Sequence, residues 1–179
     1  LHVAQQRGIL TSIDVVSETG DRFGRIVPPA LQYTDYCVIN ELEAEASTGV
    51  KLRGEDNALL QDNLPAALHR LKALGVSRWA VIHSPEGAYG MDERGNYIET
   101  VSAPLPRAMI KGTVGAGDAF CSGVLYGAYS ELPLKEAIEL GNAAAACSLT
   151  ESGATEGMRT AQEATKFCRE LRKQADTGE

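Results

Sequence analysis

The chain alternates between short, almost unbroken apolar runs and longer segments whose apolar residues recur every three or four positions. Residues 9–16, Tyr36-Cys37-Val38-Ile39 and Trp79-Ala80-Val81-Ile82 are runs of the first kind. Such runs suit strands covered on both faces, as in a parallel sheet. Asp14 interrupts the first run and needs a hydrogen-bond partner if it is buried. Residues 57–74 carry apolar side chains at 60, 64, 67, 68, 71 and 74, a helical stripe facing the sheet. Pro65 sets the start of the regular helix near Asn63, and Gly75 closes it. Phe120, Val124 and Ala128 line one face of a helix over 120–129, with Gly123 and Gly127 admitting a close neighbour. Pro133 opens the next helix, striped by Leu134, Ile138, Gly141, Ala145 and Leu149; residues 160–174 form a charged amphipathic helix that only packs.

Other segments read as connections. Residues 89–92 and 97–101 alternate across Glu93-Arg94-Gly95-Asn96, the pattern of an edge hairpin. Asp21 to Pro29 reads as a link in which Pro28-Pro29 stops any helix. Residues 1–8 read as a helix tail closed by Gly8, and this abrupt opening suggests a missing front half. All three apolar strands deliver polar residues at their C-terminal ends, which points to a parallel α/β sheet with its ligands along that edge.

The candidate chemistry gathers in Lys111-Gly112-Thr113-Val114-Gly115-Ala116-Gly117-Asp118-Ala119-Phe120. Small residues at 115 to 117 let the backbone turn tightly with its N–H groups aimed at an anion, and the positive end of the following helix adds to the pull. Asp118 would repel a bound phosphate directly. It makes sense if a hydroxyl lies between them and gives Asp118 its proton as the oxygen attacks phosphorus. A Walker A loop requires Lys-Ser/Thr where Asp118-Ala119 stand, and a dinucleotide fingerprint requires a small residue where Phe120 stands. Composition alone also allows a plain glycine-rich loop capped by Asp.

Asn40 and Glu43 open the helix after the second strand with the spacing of a capping box. Their oxygens also suit a hard cation that keeps its waters, and both readings can hold together.

Seventeen basic and twenty-four acidic residues among 179 give a net charge of −7, which argues against a nucleic acid partner and for a soluble protein with room for a core. Cys37, Cys121, Cys147 and Cys168 form no C-x-x-C pair and read as buried thiols of a reducing cytoplasm. His2, His69 and His83 are too scattered for a zinc set, and no apolar run is long enough to cross a membrane.

Gly115-Ala116-Gly117-Asp118-Ala119-Phe120, with Gly123 behind it, resembles the C-terminal signature of the PfkB (ribokinase-like) sugar kinases. The resemblance implies a three-layer α/β/α fold with a mainly parallel sheet, residues 1–179 being the C-terminal nucleotide-binding and catalytic portion. The N-terminal strands, the β-lid and most sugar contacts would lie elsewhere, as would any homodimer contact made through the lid. It implies Asp118 as the base that binds and deprotonates a sugar hydroxyl, with ATP as donor and the amides of Gly115, Ala116 and Gly117 as anion hole. Asn40-x-x-Glu43 is similar to the family's Asn-x-x-Glu, which implies Mg²⁺ held by Glu43 through water and Asn40 near the nucleotide phosphates. Thr48-Gly49 closes this helix as in the family. An Asp near position 14 often stands at the phosphate end of the site; a plain loop or cap contact is the alternative. Ser84 and Gly87 occupy a turn that relatives place against the nucleotide as Thr-x-Gly-x-x-Gly, with Ile82 and Ser84 departing from it. Asn142 begins a segment resembling the one beside adenine, and Gly153-Ala154 resembles the turn after it. Potassium-activated members carry Asp-Thr-Thr where this chain has Gly112-Thr113-Val114, so weak or absent K⁺ activation is expected. The competing expectation is a nucleotide-binding fragment or regulatory paralogue without catalysis.

Overall fold

The computed structural model describes residues 1–16 and 23–177. The chain divides into two compact units, Leu1–Glu99 and Thr100–Glu179. The sheet has five strands whose neighbours follow chain order: β1 (Ser12–Ile13), β2 (Tyr36–Asn40), β3 (Trp79–His83), β4 (Gly87–Met91) and β5 (Tyr97–Val101). β1, β2 and β3 run parallel, and β4 returns antiparallel to β3. β4 and β5 form the expected hairpin, closed where the Asp92 N–H donates to the Asn96 carbonyl (3.2 Å).

In the first unit, the apolar runs of β2 and β3 are buried along four of their five residues. Cys37, Ile39, Ala80 and Ile82 face a core that also holds Leu31, Leu52, Leu68, Leu71 and Tyr89. Val38 and Val81 on the alternate face are equally buried, as two-sided coverage requires. The helices are α1 (His2–Gln6), α2 (Phe23–Leu31), α3 (Glu41–Thr48) and α4 (Leu64–Ala73), the last preceded by a 3₁₀ turn at Gln61–Asn63. α4 buries Leu64, Ala67, Leu68 and Leu71, four positions of the expected stripe.

Two expectations are corrected here. The link over Asp21 to Pro29 is instead helical from Phe23, with Pro28 and Pro29 inside α2; Asp21 lies outside the described residues. Phe23, Val27 and Leu31 recur every four residues and are buried. Their shared apolar face outweighs the two donors that proline removes. The strand expected over 9–16 narrows to Ser12–Ile13: among the described residues β1 pairs with β2 alone, at two positions, Ser12 with Tyr36 and Ile13 with Cys37. Ile9, Leu10 and Val16 are exposed. Asp14 is exposed as well, and its carboxylate accepts the N–H of Val15 (2.9 Å), a loop contact.

The second unit is built from α5 (Ala116–Tyr129), α6 (Leu134–Ser148) and α7 (Ala161–Thr177). α5 and α6 cross with backbones touching. A Cβ on Gly123 would sit 2.8 Å from the Cα of Gly141, and one on Gly127 would sit 2.5 Å from the Cβ of Ala137. α6 is buried more widely than a single stripe, since its small residues let Ala143 and Cys147 pack on Ala164 and Cys168 of α7 as well. All four cysteines are buried, and none is in a disulfide. None of the described helices is long and apolar enough to cross a membrane.

Candidate active site

In the second unit, Gly115 holds the left-handed conformation (φ 81°) as the residue before α5. A side chain there would be strained twice over, because its Cβ would come within 2.6 Å of the Ala154 carbonyl oxygen. The expected turn at Gly153-Ala154 therefore packs directly under the glycine loop. α5 starts at Ala116, four residues before the helix expected from Phe120, since the N–H of Ala119 already donates to the Gly115 carbonyl (2.8 Å). Asp118 consequently stands in the first turn of the helix, exposed to solvent. Its carboxylate makes no hydrogen bond or ion pair with the described residues. A negative group is favoured there by the partial positive charge of the helix start.

The three small residues bring no side-chain cap. Of the amides expected to face an anion, that of Ala116 is drawn weakly to the Thr113 carbonyl at 3.4 Å. Those of Gly115 and Gly117, like that of Asp118, find no acceptor among the described residues. Unpaired N–H groups at a helix start are what an anion meets first. Asn142 sits on α6, 6% exposed, with its amide nitrogen donating to Thr100 Oγ1 (2.9 Å) and the Val101 carbonyl (3.4 Å). This leaves the Asn142 carbonyl oxygen as the atom that could meet a ligand.

The first unit gathers Asn40, Glu43, Ser84 and Gly87. β2 and β3 run in register, Asn40 opposite His83, so both strands end side by side and hand the chain to α3 and to the 84–87 turn. Asn40 caps α3: its Oδ1 accepts the Glu43 N–H (2.9 Å), while Glu43 Oε2 accepts the Asn40 N–H (2.9 Å). The capping box is complete. Glu43 is 4% exposed, and one carboxylate oxygen is committed to this cap. No group of three or more His, Cys, Asp or Glu side chains among the described residues is arranged to hold a metal ion. Carboxylate oxygen, which Glu43 offers, is the donor type that hard cations take. In the turn, Ser84 donates from its N–H (2.9 Å) and its hydroxyl (3.3 Å) to the Gly87 carbonyl. Burial holds His83 down at about 4, so its ring is neutral at pH 7.

One cluster escaped the sequence. Arg53, 9% exposed, spends all five guanidinium N–H groups. Nε and Nη2 donate to Glu41 Oε1 (3.0 and 2.7 Å), Nη1 and Nη2 to the two Glu86 oxygens (2.5 and 2.9 Å), and Nη1 also to the Asn57 carbonyl (3.1 Å). The Arg53 hydrogen bonds pull the Glu86 carboxyl down to about 2 and raise Arg53 further above its ordinary value. The partners lie 12 and 33 positions from Arg53 along the chain, beyond any helical or strand spacing that a sequence pattern could reveal.

In one unit a glycine turn opens a helix under a solvent-facing carboxylate, and in the other a parallel pair of strands ends in a capped Asn-x-x-Glu. The chain belongs to the pfkB family of carbohydrate kinases, whose model matches residues 2–161. Among curated relatives, a 5-dehydro-2-deoxygluconokinase of Clostridium botulinum is 33% identical over 94 residues, 51% of this chain and 26% of its own length. A ribokinase of Haemophilus influenzae is 30% identical over 144 residues, 76% of this chain and 42% of its own. The ribokinase of Arabidopsis thaliana, solved with ribose and ATP, shares the fold with a TM-score of 0.73 at 19% identity, over 94% of this chain and 50% of its own. The sheet and helices thus form a ribokinase-like α/β fold, and the chain spans less than half the length of these curated relatives.

Proposed function

We propose that residues 1–179 are the C-terminal nucleotide-binding and catalytic portion of a kinase that transfers the γ-phosphoryl group of ATP to a hydroxymethyl group on a sugar or sugar-like molecule. The observation that carries this reading is Asp118, exposed and unpaired on the first turn of α5 next to backbone amides without acceptors. Its carboxylate takes the proton of the acceptor hydroxyl as the alcohol oxygen bonds to phosphorus and the bond to the ADP leaving oxygen breaks. The amides of Gly115, Ala116 and Gly117 steady the charge on the transferring group, where open donors at a helix start are worth most. Asn40, Ser84, Gly87, Gly117 and Asn142 border the nucleotide, and Glu43 holds Mg²⁺ through water. The cation, when bound, would supply positive charge to the phosphates. The same reading makes the parent enzyme cytoplasmic, with homodimer contacts through the lid.

Asp118→Asn tests the base. Turnover should fall about 10²–10⁴-fold while the affinity for Mg·ATP, read by titration calorimetry, stays within a few-fold of the original. Unchanged turnover overturns the role. The chain's partial span of its relatives favours a second reading, a nucleotide-binding fragment without catalysis of its own. A coupled ADP-release assay over a panel of sugars, run beside the calorimetry, separates the two: binding without turnover identifies the fragment.

A further inference from the structure

The Glu41–Arg53–Glu86 cluster has no part in the chemistry described so far, yet it stands where two ligand-facing segments of the first unit begin. Glu41 is the first residue of α3, directly after Asn40, and Glu86 lies in the turn directly after β3. Because Asn40 and His83 are register partners, the cluster joins the C-terminal ends of two adjacent parallel strands. Arg53 is held from behind as well. Glu45 Oε2 accepts the N–H groups of Leu52 (2.7 Å) and Arg53 (3.3 Å), and the loop closes through an isolated bridge between Arg53 and Leu59. The backbone is pinned on one side and the guanidinium saturated on the other, so Arg53 has one available position.

The charges explain why it is needed. Glu41 is 8% exposed and Glu86 reaches solvent, so the two strand ends carry two carboxylates at an edge that the proposed function gives to a nucleotide polyphosphate. Unpaired, they would repel that ligand through a medium that screens poorly. We infer that Arg53 is a positioning residue for the nucleotide: its single positive charge offsets one of the two carboxylates, Glu41 and Glu86, and its hydrogen bonds tie the 84–87 turn to the start of α3, so that a polyanion can approach this edge. The inference rests on the nucleotide reading above and adds a residue to it.

The test compares Arg53→Gln, Glu86→Gln and the double variant in this chain, titrating each with Mg·ATP and with adenosine after thermal melts confirm folding. Arg53→Gln should weaken Mg·ATP at least tenfold and adenosine less than threefold, because adenosine carries no phosphate. Adding Glu86→Gln should recover at least threefold of the lost Mg·ATP affinity. Equal losses for both ligands, or no recovery in the double variant, would mean a merely structural role and overturn the inference. If Arg53→Gln does not fold, Glu86→Gln decides: Arg53 keeps Glu41, the opposing charge is gone, and Mg·ATP should bind as tightly or more tightly. Weaker binding refutes it. If the unaltered chain binds no Mg·ATP, the nucleotide reading fails and this inference falls with it. Normal Mg·ATP binding in the original chain with unchanged binding in Arg53→Gln removes the inference alone.

Discussion

At the scale of single residues, the two titrating groups at the strand ends make the protein acid-sensitive. Glu86 sits at about 2 when folded against an ordinary value of 4.5, and His83 at about 4 against 6.5. Both folded values are depressed, so in both cases the unfolded chain binds the proton first and stability falls as pH is lowered. His83 contributes between about 6.5 and 4, Glu86 between about 4.5 and 2. Melting temperature should therefore decline as pH is lowered through both windows, with the lowered carboxyls of Asp35 and Asp92 adding to the loss at the acid end. Glu86→Gln should shrink the acid-end loss and leave the part between about 6.5 and 4 unchanged. An acid-end loss that is undiminished in that variant would mean that the Arg53 pairing does not control the carboxyl. Little of this was legible in the sequence, because Arg53 meets its partners through a loop whose path only the fold defines. Asn40 and Glu43 were legible, since a capping box works over three residues and needs nothing from elsewhere.

At the scale of elements, the apolar runs at 36–39 and 79–82 announced β2 and β3 because a strand covered on both faces has no polar residue to spare. α2 went unread: a proline pair is a strong local signal against a helix, and the opposing signal, Phe23, Val27 and Leu31, pays only once a core exists to receive it. The start of α5 was misjudged for a related reason. Gly115 to Gly117 look like loop by composition, but Gly115 spends its freedom on one left-handed step and the helix begins immediately. The glycines inside α5 were read correctly as a close-approach face. Gly123→Val should destabilise the second unit by about 1–3 kcal/mol, since the new side chain would enter the backbone of Gly141 and Leu140. Thermal unfolding of this variant measures the effect, and an unchanged melting temperature would mean that the helices can part at little cost.

At the scale of the whole molecule, membership of the pfkB family and the ribokinase-like fold followed from one six-residue signature, whose spacing carries chemistry that composition does not. Departures from that signature are equally informative. Gly112 stands where potassium-activated members carry an acidic residue, and a Cβ there would already lie 3.0 Å from the Ser152 carbonyl oxygen and 3.1 Å from its Cα. The loop is closed around glycine. An enzyme containing this chain should show no large rate rise when Na⁺ is replaced by K⁺ at equal ionic strength, and a several-fold rise would overturn that expectation. The backbone contact between α5 and α6 has a further consequence for motion. Two rods touching along their spines cannot slide past one another without first separating, so the pair behaves as one piece with Asp118 near one tip. On the proposed reading, a substitution that parts these two helices displaces the carboxylate offered to the alcohol without touching it.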